Sequence, residues 1–256
     1  MRKTVVTIAA AASLVFATAG AFAAEIKVYV SGAMAHALEE VSQDFAKKNG
    51  HTIDFVVGTT GVLQDRVRKG EKADLIEVTT VGMDQLEKEK LVVPGTRVDL
   101  AKANIGVAVR EGQPTIDISS PDALKQRLLA AKAIAYIDPV AGGQAGAAMV
   151  GLLQKLGITE QMKNKTVHGK TGAESVQKMV AGEADIAISF ISEILPIKGA
   201  KLVGPLPAAV QNPSSYAGAV GANSANQAAA KALLAAMQGA EAHHVMVDAG
   251  LEPIGH

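Results

Sequence analysis

The chain has no cysteine and no tryptophan, and aromatic residues make up only 3% of its 256 positions. A disulfide framework is therefore excluded, which suits an exported protein that folds without one. A sugar site built on aromatic stacking is not expected. There is no excess of charge: 25 Lys and Arg stand against 25 Asp and Glu. Nucleic-acid binding calls for clustered basic residues, and none are seen. The sequence holds no His-Glu-x-x-His and no clustered set of metal ligands, so no metal or cofactor is expected. It holds no Gly-x-Ser-x-Gly elbow either. No internal repeat and no low-complexity linker interrupt it. Beyond its first 24 residues no segment is apolar and long enough to cross a bilayer.

What is present begins with Arg2 and Lys3, then a charge-free stretch from Thr4 to Ala24 with the apolar centre "VVTIAAAASLVFA" and the small residues "AFA" at Ala21–Ala23. This is the pattern of a secretory signal, residues 1–23, cleaved after Ala23 or Ala24, and it predicts a periplasmic protein. A membrane anchor is the rival reading, since the uncharged run is long enough to span. Removing Arg2 and Lys3 leaves 23 basic against 25 acidic residues, a formal charge of −2. The remaining chain, about 232 residues, suffices for one large α/β domain or two lobes.

Apolar runs alternate with helical periodicity. Strands are predicted at 26–30, 52–57, 74–78, 105–110, 133–137, 185–190, 201–203 and 216–220, several of them continuous apolar runs suited to strands covered on both faces. Met34, Leu38, Val41 and Phe45 form one helical stripe ending near Asn49-Gly50. Ser120-Pro121 reads as a cap and first-turn proline ahead of Leu124 and Leu128. Residues 225–238 are Ala-rich and a final helix ends before Gly250. This alternation predicts parallel or mixed sheets flanked by helices. Two stretches read as crossings of a double hinge, one around Asn104–Arg110 and its return at Pro213–Ser224. They predict a first lobe of residues 24–103 and 222–256, and a second lobe of 104–221.

Three strand–loop–helix junctions share a design: Ser31-Gly32-Ala33, Gly58-Thr59-Thr60-Gly61 and Ala141-Gly142-Gly143 followed by Gln144. Ligands of open α/β sheets bind beyond the carboxyl ends of strands. The first turn of a helix has unpaired N–H groups and a partial positive charge, and small residues there let an anion reach the backbone. Gly, Ser and Thr are also ordinary helix caps, which is the plain alternative. His36 lies off the apolar stripe and reads as cleft or surface. Asp138 reads as a helix cap or an acid–base group, and Glu193 is equally open. Arg66 reads as a ligand partner or as a surface pair with Asp65 or Glu71.

The stretches "IKVYVSGAMAHALEEV", "ADLIEVTTVGMDQLEKEKLV", "DPVAGGQAGAAMVGLLQKLG" and "GEADIAISFISEILPIKGAKLVGPLP" resemble the molybdate-binding-protein-like branch of type II periplasmic solute-binding proteins, over essentially the whole chain after the signal. The resemblance implies two α/β lobes closing on a small anion, in a monomer that hands its ligand to an inner-membrane ABC transporter. It places ligand contacts at Ser31, Gly32, Ala33, Thr59, Thr60, Gly142, Gly143, Gln144, Gly172 as a backbone donor, and Phe190. The family's hydroxyls fall on Ala33 and Phe190 here, which have none, and this weakens a site for a tetrahedral oxyanion. A sister group with "SGA" after the first strand and "ISE" at Ile191-Ser192-Glu193 includes a periplasmic aconitate isomerase. It makes tricarboxylates candidate ligands and proton-shifting chemistry a candidate activity, with His36, Asp138 or Glu193 as acid–base groups.

Overall fold

The computed structural model describes residues 23–255; residues 1–22 of the expected signal segment lie outside them. In chain order the elements are β1 (Glu25–Ser31), α1 (Gly32–Asn49), β2 (Thr52–Gly58), α2 (Thr60–Arg68), β3 (Leu75–Thr79), α3 (Thr80–Lys88), β4 (Val98–Ala103) and β5 (Ile105–Arg110). There follow α4 (Pro121–Ala130), β6 (Ile134–Ile137), a 3-10 turn (Pro139–Ala141), α5 (Gln144–Lys155), α6 (Thr159–Met162), β7 (Thr166–Gly169), α7 (Gly172–Val180) and β8 (Ile186–Phe190). The chain closes with α8 (Ile191–Ile194), β9 (Ala200–Pro205), β10 (Ser214–Val220), α9 (Gln227–Ala236), α10 (Ala240–Asp248) and β11 (Leu251–Pro253).

The strands form two mixed sheets. The first has the order β11-β4-β10-β3-β1-β2 and the second the order β7-β6-β8-β5-β9. β1 pairs in parallel with β2 and β3, whereas β10 runs antiparallel between β3 and β4. In the second sheet β6 is parallel to β7 and β8, and β5 runs antiparallel between β8 and β9. β3, β6 and β8 are buried along their whole length, as expected of strands covered on both faces.

The chain passes between the sheets twice, at Asn104 and between Pro205 and Ser214. Here the structure differs from the sequence reading, which put residues 214–221 in the second lobe. Those residues form β10, hydrogen-bonded between β3 and β4, so the return crossing comes earlier. Apolar packing continues through both crossings, where Ala103, Ile105, Leu206 and Tyr216 belong to one buried cluster with Val28 and Ile188.

Local signals carry the helices. Met34, Leu38 and Val41 are buried along α1, Phe45 is partly buried, and Gly50 ends the helix at φ +70 with its N–H on the Ala46 carbonyl. The Ser120 hydroxyl accepts the Ala123 N–H at 3.1 Å, and Leu124 and Leu128 are fully buried. β4, β7 and β11 were not foreseen. β4 reads Val-Asp-Leu-Ala-Lys-Ala, a helix-forming composition. It is a strand because β10 and β11 flank it on both sides.

Candidate functional site

Five junctions between a strand and the following helix point into one cleft between the sheets. Ser31, Gly32 and Ala33 enter it from β1–α1, Thr59 and Thr60 from β2–α2, Gly143 and Gln144 from the start of α5, Gly172 from α7, and Phe190 and Glu193 from β8–α8. Tyr216 of β10 completes the wall. Of the expected contact residues only Gly142 stands outside this lining, packed behind it against Thr59 and Gly61. The cavity left between the walls holds about 40 Å³ of water-accessible space.

The helix starts differ in how their N–H groups are used. α2 is capped by Thr59, whose hydroxyl oxygen accepts the Val62 N–H at 3.3 Å, and α7 by Thr171, which accepts from Glu174 at 3.1 Å. α1 and α5 have no side-chain cap: Gly143 has no side chain, and the Ser31 hydroxyl is turned elsewhere. Of the helix starts at the cleft, α1, α5 and the one-turn α8 have no side-chain cap, and the two longer ones, α1 and α5, each bring first-turn N–H groups and the positive end of a helix dipole.

Ser31 points instead at a carboxyl. Its backbone N–H donates to Glu77 Oε2 at 2.7 Å and its hydroxyl to Glu77 Oε1 at 3.1 Å. Glu77, in the middle of β3, is 0% exposed. Burial pushes its carboxyl up to about 8 against the pull of those two hydrogen bonds. Glu193 sits across the cleft. Ser189 donates to its Oε2 at 2.6 Å, and the N–H groups of Phe190 and Gly172 also donate to it. Burial raises this carboxyl too, and the three donors oppose the shift. The Gly172 N–H, expected to face a ligand, is therefore occupied by the protein's own acid. A Cβ at Gly172 would collide with that carboxyl and with Ser189 Oγ, so the close approach requires glycine. Tyr216 feels both acids. Burial first, then the negative potential of Glu77 and Glu193, holds its phenol well above the usual range.

Contacts also cross the cleft. The Thr59 hydroxyl donates to the Ala141 carbonyl at 2.8 Å, and the Ser192 hydroxyl donates to the Ala33 carbonyl at 2.6 Å. Thr60 Oγ1 accepts the Thr79 N–H at 3.2 Å. Phe190 meets Tyr216 edge to face, with centroids 6.1 Å apart.

The remaining candidates lie elsewhere. His36 is exposed and faces Leu195 and Pro196 outside the cleft. Asp138 accepts the Val140 N–H at 3.0 Å and so caps the 3-10 turn. Arg66 pairs with Glu71 at 2.7 Å and stacks over the Tyr29 ring, which is the surface alternative. No Lys or Arg lines the cleft among the described residues. Among them, too, no group of His, Asp or Glu could hold a metal ion. Sequence reasoning missed Glu77 and Tyr216. The signal for Glu77 was available: an acid inside "DLIEV", a run that otherwise reads as a fully buried strand.

Comparison with known proteins agrees with this architecture. A family model described as bacterial extracellular solute-binding protein matches residues 26–252. A curated aconitate isomerase from Pseudomonas sp. is 30% identical over 238 residues, 90% of this chain and 88% of that one. The molybdate-binding protein of Azotobacter vinelandii is 27% identical over 183 residues, 71% of this chain and 70% of its own. The solved periplasmic molybdate-binding protein of Azotobacter vinelandii superposes with a TM-score of 0.75 at 19% identity, over 90% of this chain and all of that one, a likeness of fold.

Proposed function

This chain belongs to the family of bacterial extracellular solute-binding proteins, and we propose that it captures a small organic acid, a di- or tricarboxylate, in the cleft between its two sheets. The observation that carries this reading is the carboxyl of Glu193 in the cleft wall, one oxygen of which stands close to Gly32 at the uncapped start of α1. Helix starts suit an anion. A tetrahedral dianion such as molybdate would also lie against Glu193, whereas a hydroxy acid such as citrate can turn its hydroxyl to it, and a longer acid can keep its carboxylates at the helix starts and its carbon chain toward Glu193. The hydroxyls missing at Ala33 and Phe190 argue the same way. In this reading the signal at residues 1–23 is removed, the protein works in the periplasm as a monomer, and an ABC transporter permease takes up the ligand. The first lobe comprises residues 24–103 and the second begins at Asn104, with the return before Ser214. Calorimetry on residues 24–256 with trans-aconitate, citrate, molybdate and sulfate tests the ligand class. Binding of a tricarboxylate with no binding of molybdate is expected; sub-micromolar molybdate binding sinks it.

A second reading, isomerisation of an unsaturated tricarboxylate, is favoured by one observation, the raised Glu193 carboxyl in the cleft, together with the 30% identical aconitate isomerase. A proton-shifting enzyme needs such a group. Incubation with trans-aconitate, followed by chromatography for the cis isomer, separates turnover from capture.

A further inference from the structure

We infer that Glu77 is a positioning residue for the cleft, a protonated acid behind its wall that turns the Ser31 hydroxyl hydrogen toward a bound anion and turns it away when ionised. The inference rests on the anion-site reading above and on the arrangement of four atoms. Ser31 lines the cleft, while Glu77 lies directly behind it, fully buried and reached through Ser31. The 2.7 Å bond from the Ser31 N–H fixes one Glu77 oxygen; the other stands 3.1 Å from Ser31 Oγ. A hydroxyl has one hydrogen and two lone pairs. An ionised Glu77 can only accept, so it takes that hydrogen and leaves lone pairs facing the cleft, which repel an anion. A protonated Glu77 donates to Ser31 Oγ instead, and the Ser31 hydrogen is free to donate into the cleft. No bond other than these hydrogen bonds changes, and the proton stays on Glu77.

The surroundings favour the protonated form. Glu77 takes part in no ion pair among the described residues. Tyr216 of β10 stands in the potential of both Glu77 and Glu193 of α8, and each acid adds negative charge there when ionised. β1 contributes Ser31, and α1 has no acid in its first turn and carries His36 exposed. On α7, Glu174 turns outward to Lys178 and the Lys170 N–H. α2 and α3, which pack on β3, carry Arg66 and Arg68 paired with Glu71 and Glu89 and an exposed Lys88, and α9 carries an exposed Lys231, so none of these elements pairs a cation with Glu77. Its placement at about 8 puts the change within reach of ordinary buffers.

The test uses residues 24–256 with trans-aconitate as the probe. Affinity is measured from pH 6 to 10, and the Glu77 carboxyl of the free protein is titrated by carbon-13 NMR with Glu77→Gln for assignment. A one-proton switch predicts affinity that is level below about pH 8 and then falls about tenfold per pH unit. Glu77→Gln keeps the shape and always donates, so it should hold the low-pH affinity with that fall removed. Ser31→Ala should also lose the pH dependence, at a lower affinity throughout. A Glu77 carboxyl that titrates in the ordinary range overturns the inference whether or not the probe binds. So does wild-type binding that is level to pH 10, or a Glu77→Gln profile that still falls. If neither trans-aconitate nor citrate binds at any pH, the anion-site reading falls and this inference with it; binding without the pH fall removes the inference alone.

Discussion

At the scale of single residues, the acid in β3 has a consequence for stability as well as for the cleft. Glu77 moves from an ordinary 4.5 to about 8 on folding. Between those values the folded chain binds more protons than the unfolded one, so the stability present below about pH 4.5 is lost as pH rises through 8. The loss approaches about 1.4 kcal/mol per pH unit for one group. Glu77→Gln should remove that slope and raise stability at pH 8, measured by urea unfolding at pH 5, 6.5 and 8. An unchanged slope would mean that Glu77 is ionised in the native state. Gly143 offers a different residue-scale test. Its backbone, at φ −91 and ψ 140, suits any residue. An added Cβ meets the end of the Ile137 side chain at 2.7 Å, a contact that can give way. Gly143→Val should therefore fold, with stability lowered by less than about 1.5 kcal/mol, while calorimetry with trans-aconitate shows at least tenfold weaker binding.

At the scale of elements, the helix caps separate structural hydroxyls from available donors. Ser120→Ala removes the cap of α4, away from the cleft. It should cost about 1 kcal/mol in urea unfolding and leave ligand affinity unchanged. This division of labour also marks what could be read in advance. The strand–loop–helix junctions were legible because Gly, Ser and Thr cluster after apolar runs, and the cleft does gather Ser31, Thr59 and Gly143. Which junctions are capped was not legible. Thr59 caps its own helix while Ser31, the same type of residue in the same place, turns to an acid 46 positions later. Gly172 was foreseen at the cleft, but its N–H partner, Glu193, lies on another element. β4 escaped because strand neighbours supplied its conformation, and β10 was put in the wrong lobe because a crossing leaves no mark in local periodicity.

At the scale of the whole molecule, the two lobes act together only if the cleft can open and close. A ligand that binds the native protein stabilises it by mass action, so trans-aconitate at 100 times its dissociation constant should add about 2.7 kcal/mol to unfolding. The Thr59 hydroxyl bonded to the Ala141 carbonyl and the approach of Gly61 to Gly142 tie the lobes at the mouth. Thr59→Ala removes this tie together with the α2 cap. X-ray scattering should then report a larger radius of gyration in free solution, and saturating ligand should restore the wild-type value. The same tie governs timing. If a ligand can enter the cleft only when this tie parts, each arrival waits for the mouth to open. The observed association rate should level off as ligand concentration rises, at a ceiling set by the parting of the lobes rather than by collision. That ceiling should rise when position 59 loses its hydroxyl.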